Sequence, residues 1–227
     1  MRGRLPAGLA ALTVALGATL GLSACAPAVP GVPGSVAPPG SPGAPAPVPP
    51  ASEPASAVQG AIVIGDGETQ IDIWVDFFCP FCRMFEEANG DYVERLVGRG
   101  EATLRVHPIA ILDRASMGTA YSTRAAGAFA CVGEYAPEEA LGYFQRLYEV
   151  QPEEGTPGLT DEELAAAAPG IAADCIRDGW FGDWVGEWTQ RSLEAGIRAT
   201  PTVLVNTEQF PGGYDPADFR AFVESRS

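Results

Sequence analysis

The chain has 227 residues, of which 46% are hydrophobic, and a formal net charge of −15 at pH 7. This hydrophobic content supports a packed core and excludes a wholly disordered chain, and the length fits one domain with appended segments. Nucleic-acid binding depends on neutralising phosphates with basic side chains, so a surface this acidic predicts no nucleic-acid partner.

The first 25 residues have the layout of a secretion signal. Two arginines precede an apolar stretch over 5–21, and Leu22-Ser23-Ala24-Cys25 follows. This ending resembles the lipobox of bacterial lipoproteins, which implies a signal peptide at 1–24 and lipid attachment at Cys25. An uncleaved membrane anchor is the alternative, although the proline and glycines of the stretch make it a poor one. Both readings place the folded part outside the cytoplasm, and the lipobox predicts lipid anchoring to the bacterial cell membrane.

A proline-rich segment follows the lipobox cysteine. Residues 26–57 contain eleven prolines and a single charged residue, Glu53. Such a composition cannot build a core and is typical of a semi-rigid tether with polyproline conformation. We therefore expect residues 25–57 to carry the lipid and to act as a spacer, with a partner-docking motif as the less favoured alternative.

The folded part opens with two strands and a pair of cysteines. Ala61–Ile64 predicts a short strand, and the apolar run of 71–78 predicts a buried one. Cys79 and Cys82 then bracket a Pro-Phe dipeptide, and 83–97 has helical spacing. Cys79 would stand at the helix N-terminus, where free N–H groups stabilise a thiolate and lower the pKa of the thiol.

The Cys-x-x-Cys spacing is that of a redox dithiol, and two other interpretations stand beside it. A structural zinc site needs a second cysteine pair or histidines, and here the other cysteines are single and only one histidine exists. Two inert core thiols are the other possibility, which the position of Cys79 at a helix start disfavours. We expect no metal and no cofactor.

The remaining elements complete an α/β order. A third strand is predicted at 102–108, helices occupy 114–197, a fourth strand covers 202–205, and a turn leads to 208–210 and a terminal helix at 216–225. This order is that of the thioredoxin fold with an inserted helical domain. The predicted boundaries are 58–113 and 198–227 for the two parts of the thioredoxin fold, and 114–197 for the helical insertion.

Two motifs carry a family resemblance. Asp76-Phe77-Phe78-Cys79-Pro80-Phe81-Cys82, taken with Ala199-Thr200-Pro201-Thr202, resembles the DsbA-type branch of the thioredoxin superfamily. The resemblance implies that Cys79 is the attacking nucleophile and Cys82 the resolving thiol. Pro201 is then the cis-proline that faces the dithiol.

The resemblance also implies a site for substrate. Thr200 would offer main-chain hydrogen bonds to an extended peptide, and Pro80 and Phe81 would contact it. The implied substrates are cysteine-containing secreted or envelope proteins, with a membrane redox partner that recycles the enzyme. Apart from the resemblance, Phe77 and Phe78 are candidates to extend an apolar rim around Phe81, although core packing explains Phe77 equally well.

The sequence departs from the family pattern at two positions. Phe81 stands where many members have histidine or tyrosine, and it cannot donate a hydrogen bond to the thiolate. Ile73 stands where relatives often place a buried acid that moves protons. Asp76 is a weak candidate for that task, and His107 is a candidate partner of Cys79 that a core or surface role explains better.

Cys131 and Cys175 remain once the other cysteines are assigned. In an oxidising compartment they are expected to form a structural disulfide within the helical insertion, with two buried free thiols as the alternative. The predicted function is disulfide exchange, as an oxidase of secreted proteins. A reductase or isomerase, or a non-catalytic peptide-binding envelope lipoprotein on the same scaffold, are the alternatives.

Overall fold

The computed structural model describes residues 53–54 and 57–227. The predicted signal peptide, Cys25 and nearly all of the proline-rich spacer lie outside these residues. Within the described ranges, no helix combines the length and apolar character needed to cross a membrane.

A six-stranded mixed sheet forms the centre of the domain. The strands are β1 (Ala57–Val58), β2 (Ala61–Ile64), β3 (Thr69–Val75), β4 (Ala102–Pro108), β5 (Thr202–Val205) and β6 (Glu208–Gln209). Their order across the sheet is β1-β2-β4-β3-β5-β6. β3 pairs parallel with β4 and antiparallel with β5, so the strand that leads to the dithiol is held on both sides.

The central strand is shorter than its apolar run suggests. β3 alternates between buried and partly exposed residues, with Ile71, Ile73 and Val75 on the buried side. It ends at Val75 because Asp76 turns the chain: its Oδ1 accepts the N–H of Phe78 over 2.9 Å. The expected continuation to 78 is therefore wrong, whereas the helix begins at Pro80, directly after Cys79, as the predicted helix N-terminus at Cys79 requires.

Seven α-helices complete the described residues. They are α1 (Pro80–Gly98), α2 (Tyr121–Tyr135), α3 (Ala140–Glu149), α4 (Asp161–Ala167), α5 (Ala173–Arg177), α6 (Gly182–Glu194) and α7 (Pro216–Glu224). Helices α2 to α6 lie between β4 and β5 in the chain, which confirms the thioredoxin order with a helical insertion. A capping box at Thr160 begins α4, with reciprocal hydrogen bonds between Thr160 and Glu163.

One core runs from the sheet into the helical insertion. Phe77, immediately after β3, packs edge-on against Phe129 of α2 and Phe144 of α3, with ring centroids 5.5 and 5.9 Å apart. On the other side of the dithiol helix, Phe85 of α1 packs against Phe219 of α7. Burial of these aromatic rings holds the start of α1 between the insertion and the terminal helix.

Candidate active site

The two cysteines of the dithiol lie at the start of α1, a few residues after the end of β3. Cys79 is the N-cap residue of α1 and Pro80 occupies the first turn, where its missing N–H leaves no helical bond unmade. Both thiols are free, with Cys79 5% and Cys82 2% exposed. Among residues 53–54 and 57–227, no group of three His, Cys, Asp or Glu side chains is placed to hold a metal.

The two thiols differ in acidity. The pKa of Cys79 falls from 9.0 to about 6 because the Cys82 thiol and the main-chain N–H groups of Phe81 and Cys82 stabilise the thiolate, against the opposing effect of burial. Burial raises the pKa of Cys82 well above 9.0. At neutral pH the site therefore holds a thiolate on Cys79 and a proton on Cys82.

The second motif meets the first across the sheet. The Thr200–Pro201 peptide bond is cis, and Cys79 Sγ lies 3.4 Å from the main-chain oxygen of Thr200, to which the thiol donates when it is protonated. Thr200 lies two residues before the start of β5 and is buried, whereas Pro201, directly before the strand, is half-buried. The structure thus brings Cys79, Cys82, Thr200 and Pro201 into one site.

A groove runs beside the cis-proline. It encloses about 360 Å³ and is lined by Phe81, Phe85, Pro201, Phe210 and Tyr214, among others. Phe81 is 53% exposed, and its ring lies parallel to that of Tyr214 with centroids 6.2 Å apart. The groove offers apolar and aromatic walls next to the sulfurs. Tyr214 and Phe210 were not predicted as site residues from the sequence. They are the two aromatic residues that flank the turn-forming Pro211-Gly212-Gly213, and that placement was an available signal.

The expected apolar rim is smaller than predicted. Phe77 and Phe78 are fully buried, and Phe78 packs edge-on against Tyr121 at 5.0 Å. Because Asp76 turns the chain before them, both rings enter the core. The expectation that Phe78 contributes to a rim is wrong, and Phe77 follows its core-packing alternative. Of the three phenylalanines only Phe81 reaches the surface.

Asp76 is buried beside the dithiol. Its Oδ1 and Oδ2 accept main-chain N–H groups of Phe78 and Leu112, each over 2.9 Å. Burial raises the pKa of Asp76 from 3.8 to about 6, against the lowering effect of its hydrogen bonds, and the negative charge of Cys79 raises it further. Asp76 therefore shapes the turn before Cys79 and also titrates near neutrality.

Gln151 supports the same turn and was not predicted from the sequence. Its Nε2 donates to the main-chain oxygens of Phe77 and Cys79 over 2.9 and 3.0 Å. Its own main-chain oxygen accepts from Arg83 over 3.4 Å. Gln151 stands in a polar loop after α3, and nothing in its sequence surroundings marks it.

His107 belongs to the other face of the sheet. Its Nε2 lies 2.7 Å from Asp72 Oδ1, and its ring stacks on Trp74 with centroids 4.0 Å apart. Asp72 and Trp74 alternate with the buried Ile71, Ile73 and Val75 along β3, so they point away from the core side. Burial lowers the pKa of His107 despite the neighbouring carboxylate. The structure assigns His107 to this cluster.

The other two cysteines are bonded inside the helical insertion. Cys131 of α2 and Cys175 of α5 form a disulfide, with Cα atoms 5.8 Å apart. Both residues are buried among the helices. The bond ties the short helix α5 to the long helix α2.

The chain is similar to known proteins in sequence and in structure. The family model described as Thioredoxin matches residues 57–225. The reduced disulfide bond oxidoreductase DsbG of Mycobacterium tuberculosis superposes with a TM-score of 0.63 at 25% identity, covering 73% of this chain and 86% of that one. Reduced DsbA of the same organism superposes with a TM-score of 0.62 at 26% identity, covering 74% and 92%.

A sequence relative has a different overall length. The serine/threonine-protein kinase PknE of Mycobacterium tuberculosis is 32% identical over 120 residues, which are 49% of this chain. The chain spans about a fifth of the length of this kinase (21%).

Proposed function

The chain belongs to the thioredoxin family, in its DsbA-type branch, and from this premise we propose that it exchanges disulfides with cysteine-containing proteins outside the cytoplasm. One observation carries the proposal. The thiol of Cys79, with its lowered pKa, stands at a helix tip against the Thr200 oxygen, and the protonated thiol of Cys82 lies behind it.

In the oxidising direction, the enzyme begins with a Cys79–Cys82 disulfide. A substrate thiolate attacks Cys79 Sγ, the Cys79–Cys82 bond breaks, and Cys82 leaves with the electron pair and takes up a proton. A second substrate thiolate then attacks the substrate sulfur of the mixed disulfide. The substrate disulfide forms, and Cys79 leaves as a thiolate. Two electrons have passed to the enzyme, which a membrane redox partner with an oxidising group would remove.

The acidity of Cys79 favours the oxidising direction. A thiolate that is stabilised in the reduced enzyme makes that form lower in free energy, so the enzyme disulfide becomes a stronger oxidant. The pKa of Cys79 lies about three units below its ordinary value, and each unit corresponds to about 1.36 kcal/mol before solvent screening is considered. The pKa of Cys79 is lowered by the Cys82 thiol and by main-chain N–H groups, although the Phe81 side chain between the cysteines donates no hydrogen bond.

The groove at the cis-proline suits an extended peptide. Main-chain groups at Thr200 would pair with the peptide, while Phe81 and Tyr214 would contact its apolar side chains. The half-buried Pro80, next to Phe81 in the chain, would add a further apolar contact. Unfolded secreted chains expose such apolar residues next to their cysteines. This arrangement supports the proposal that the substrates are folding secreted or envelope proteins.

The location of the enzyme is proposed from the sequence. The signal-like segment 1–24 and the lipobox cysteine Cys25 support export and lipid anchoring to the cell membrane, with 25–57 as the spacer. Mass spectrometry of the membrane fraction tests this: the N-terminal peptide should begin at Cys25 and carry a diacylglyceryl group. An unmodified N-terminus released into the medium would contradict lipid anchoring.

The proposed activity is tested with the whole exported protein. The oxidised protein is mixed with a reduced peptide that contains two cysteines, and peptide disulfide is followed by mass spectrometry. We expect stoichiometric oxidation, and Cys79→Ser should abolish it while leaving thermal unfolding nearly unchanged. Equilibration with glutathione buffers gives the reduction potential. A potential near that of thioredoxin would indicate a reductase, and peptide binding that survives Cys79→Ser without any exchange by the wild type would indicate a binding module.

A further inference from the structure

A buried glutamine from the helical insertion contacts the dithiol. Gln151 follows α3 by two residues and is only 7% exposed, although glutamine is mostly an exposed residue in proteins. Its amide nitrogen has two hydrogens to donate, and it lies 2.9 and 3.0 Å from the main-chain oxygens of Phe77 and Cys79. Burial of an amide removes its contacts with water, so hydrogen bonds within the protein must replace them. Both replacement bonds of the amide nitrogen go to the turn that leads into the dithiol.

The main chain of Gln151 adds a contact on the far side of the dithiol. Its oxygen accepts a hydrogen bond from Nη1 of the half-buried Arg83 over 3.4 Å, and Arg83 directly follows Cys82. Gln151 therefore contacts the chain up to Cys79 through its side chain and after Cys82 through its main chain. The two thiols lie between these points of attachment, so the loop after α3 is coupled directly to their geometry.

The main-chain oxygen of Cys79 is the first acceptor of α1. The N–H groups of Cys82 and Arg83 donate to it over 3.1 and 3.4 Å, and Gln151 is its third donor. The direction of this carbonyl group therefore fixes the orientation of the first helical turn. The N–H groups of Phe81 and Cys82, in that turn, are the main-chain donors that stabilise the Cys79 thiolate and lower the pKa of the thiol. A contact that holds the carbonyl thus also directs these donors.

An acceptor and a donor hold neighbouring peptide groups of this turn. Asp76 accepts the N–H of Phe78, whereas Gln151 donates to the oxygens on either side, at Phe77 and Cys79. The amide carries no charge, so it holds these oxygens without the repulsion that a second carboxylate would exert on a neighbouring thiolate. A side chain of similar length without donors would leave both oxygens without this partner in the protein interior.

We propose that Gln151 is a positioning residue for Cys79: its amide fixes the Cys79 carbonyl so that the N–H groups of the first turn of α1 point at the Cys79 sulfur. The inference deepens the proposed disulfide exchange and rests on it. It gives the helical insertion a part in the chemistry, because the loop after α3 supplies Gln151. When oxidation of a substrate ends, Cys79 leaves as a thiolate, and donors held in place make it a better leaving group.

The test compares two glutamines of the insertion. Gln151→Met keeps a side chain of similar length and removes both donors. Gln145→Met is the matched control, because the Gln145 amide also reaches from α3 to α1 but donates to Glu94 over 3.3 Å, about three turns beyond Cys82. Gln151→Asn is the second variant, since it retains the amide on a side chain that is too short to reach both oxygens.

Two measurements on the whole protein read the position of the donors. The reduced proteins are labelled with iodoacetamide between pH 4 and 9, and mass spectrometry of the Cys79 peptide gives the pKa of its thiol. Equilibration with glutathione at pH 8 gives the equilibrium constant between dithiol and disulfide. Melting temperatures of the same variants record any effect on stability.

We expect Gln151→Met to raise the pKa of Cys79 by about one unit, because the thiolate loses part of its main-chain support. At pH 8 the glutathione equilibrium should shift about tenfold toward the enzyme disulfide, which makes that disulfide less oxidising by about 30 mV. Gln151→Asn should shift both quantities in the same direction, and Gln145→Met should leave both unchanged.

A lower melting temperature with an unchanged pKa and equilibrium constant in the Gln151 variants would show a structural role only and would overturn the inference. Equal shifts in Gln145→Met would also overturn it. If Gln151→Met does not fold, the pKa measured in Gln151→Asn decides. The labelling needs no exchange partner, so a wild type with an acidic Cys79 that never exchanges with glutathione would contradict the proposed function, while the pKa values would still decide the positioning role.

Discussion

The chain contains two cysteine pairs in different environments, of which one pair remains as free thiols and the other forms a disulfide. Cys79 and Cys82 begin a helix, face a cis-proline loop and remain free thiols with very different acidities. Cys131 and Cys175 lie within helices of the insertion and are joined in a buried disulfide. All four residues carry the same thiol group, so the residues around each pair decide which pair takes part in disulfide exchange.

Three physical differences separate the two pairs. The redox pair has main-chain N–H groups at a helix start, which stabilise an anion, while Cys131 of the insertion pair lies in the interior of α2, where the N–H groups are bonded within the helix. The redox pair borders a groove that a peptide could enter, while Cys131 has no exposed surface. The redox pair spans one helical turn, while the insertion pair closes a separation of 44 residues. A closely spaced pair beside a groove suits exchange, and a pair that joins distant residues inside the insertion suits stability.

Removal of the insertion disulfide should give the largest effect and should fall on stability alone. The double variant Cys131→Ala/Cys175→Ala frees a loop of 44 residues in the unfolded chain, so the chain-entropy argument predicts a loss of about 3–4 kcal/mol in the free energy of unfolding. Denaturant unfolding measures it. Exchange with glutathione at a temperature where the variant is folded should remain within about twofold, and a large loss there would show that the two pairs are coupled.

Chemical labelling should separate the two free thiols by at least about a hundredfold. At pH 7 Cys79 is mostly thiolate, because its pKa is about 6, while the pKa of Cys82 lies well above 9.0 and leaves it protonated. Iodoacetamide should therefore modify Cys79 first, as read by peptide mass spectrometry of a time course. The reaction of Cys82 in a Cys79→Ser variant provides the comparison. Similar rates for the two thiols would remove the asymmetry on which the mechanism depends.

Much of the fold and of the redox site could be predicted from sequence because both depend on local patterns. The apolar residues of 71–75 predict a strand, and the proline after Cys79 predicts that a helix begins at the dithiol. The Thr200-Pro201 motif could be matched to the dithiol only through the family resemblance, since no local pattern reveals that two distant segments meet.

The errors have a common physical cause. The sequence predicts that Phe77 and Phe78 continue a strand. Instead, the Asp76 side chain accepts the N–H of Phe78 and turns the chain, so both rings enter the core. Gln151 belongs to the insertion, and its role arises only when the loop after α3 packs beside the dithiol. Contacts between distant segments depend on packing, which a single sequence does not display.

The acidity of Cys79 should make the stability of the reduced protein depend on pH. Its pKa is about 6 when folded and 9.0 ordinarily, so the folded state favours the thiolate. The resulting stabilisation is complete above pH 9, declines as pH falls, and is absent below about pH 6. The melting temperature of the reduced form relative to the oxidised form should thus rise from pH 6 to 8.5. Asp76 titrates in both forms, so the difference removes most of its effect.

Substitution between the two redox cysteines should give the smallest of these effects. In Phe81→His, the added imidazole could donate a hydrogen bond to the thiolate, which the phenyl ring cannot do. We expect the pKa of Cys79, read from the pH dependence of iodoacetamide labelling, to fall by about one unit and the disulfide to become more oxidising by about 30 mV. Phe81 is half-exposed, so stability should change by no more than about 0.5 kcal/mol.

Phe81→Leu is the matched control for this substitution, because it removes the stacking on Tyr214 without adding a donor. It should leave the pKa of Cys79 unchanged and weaken only the binding of apolar peptides. If histidine also leaves the pKa unchanged, the Cys82 thiol and the N–H groups of Phe81 and Cys82 already satisfy the thiolate. The acidity of the redox pair would then be a property of the helix start itself, and the residues between the cysteines would serve substrate contact alone.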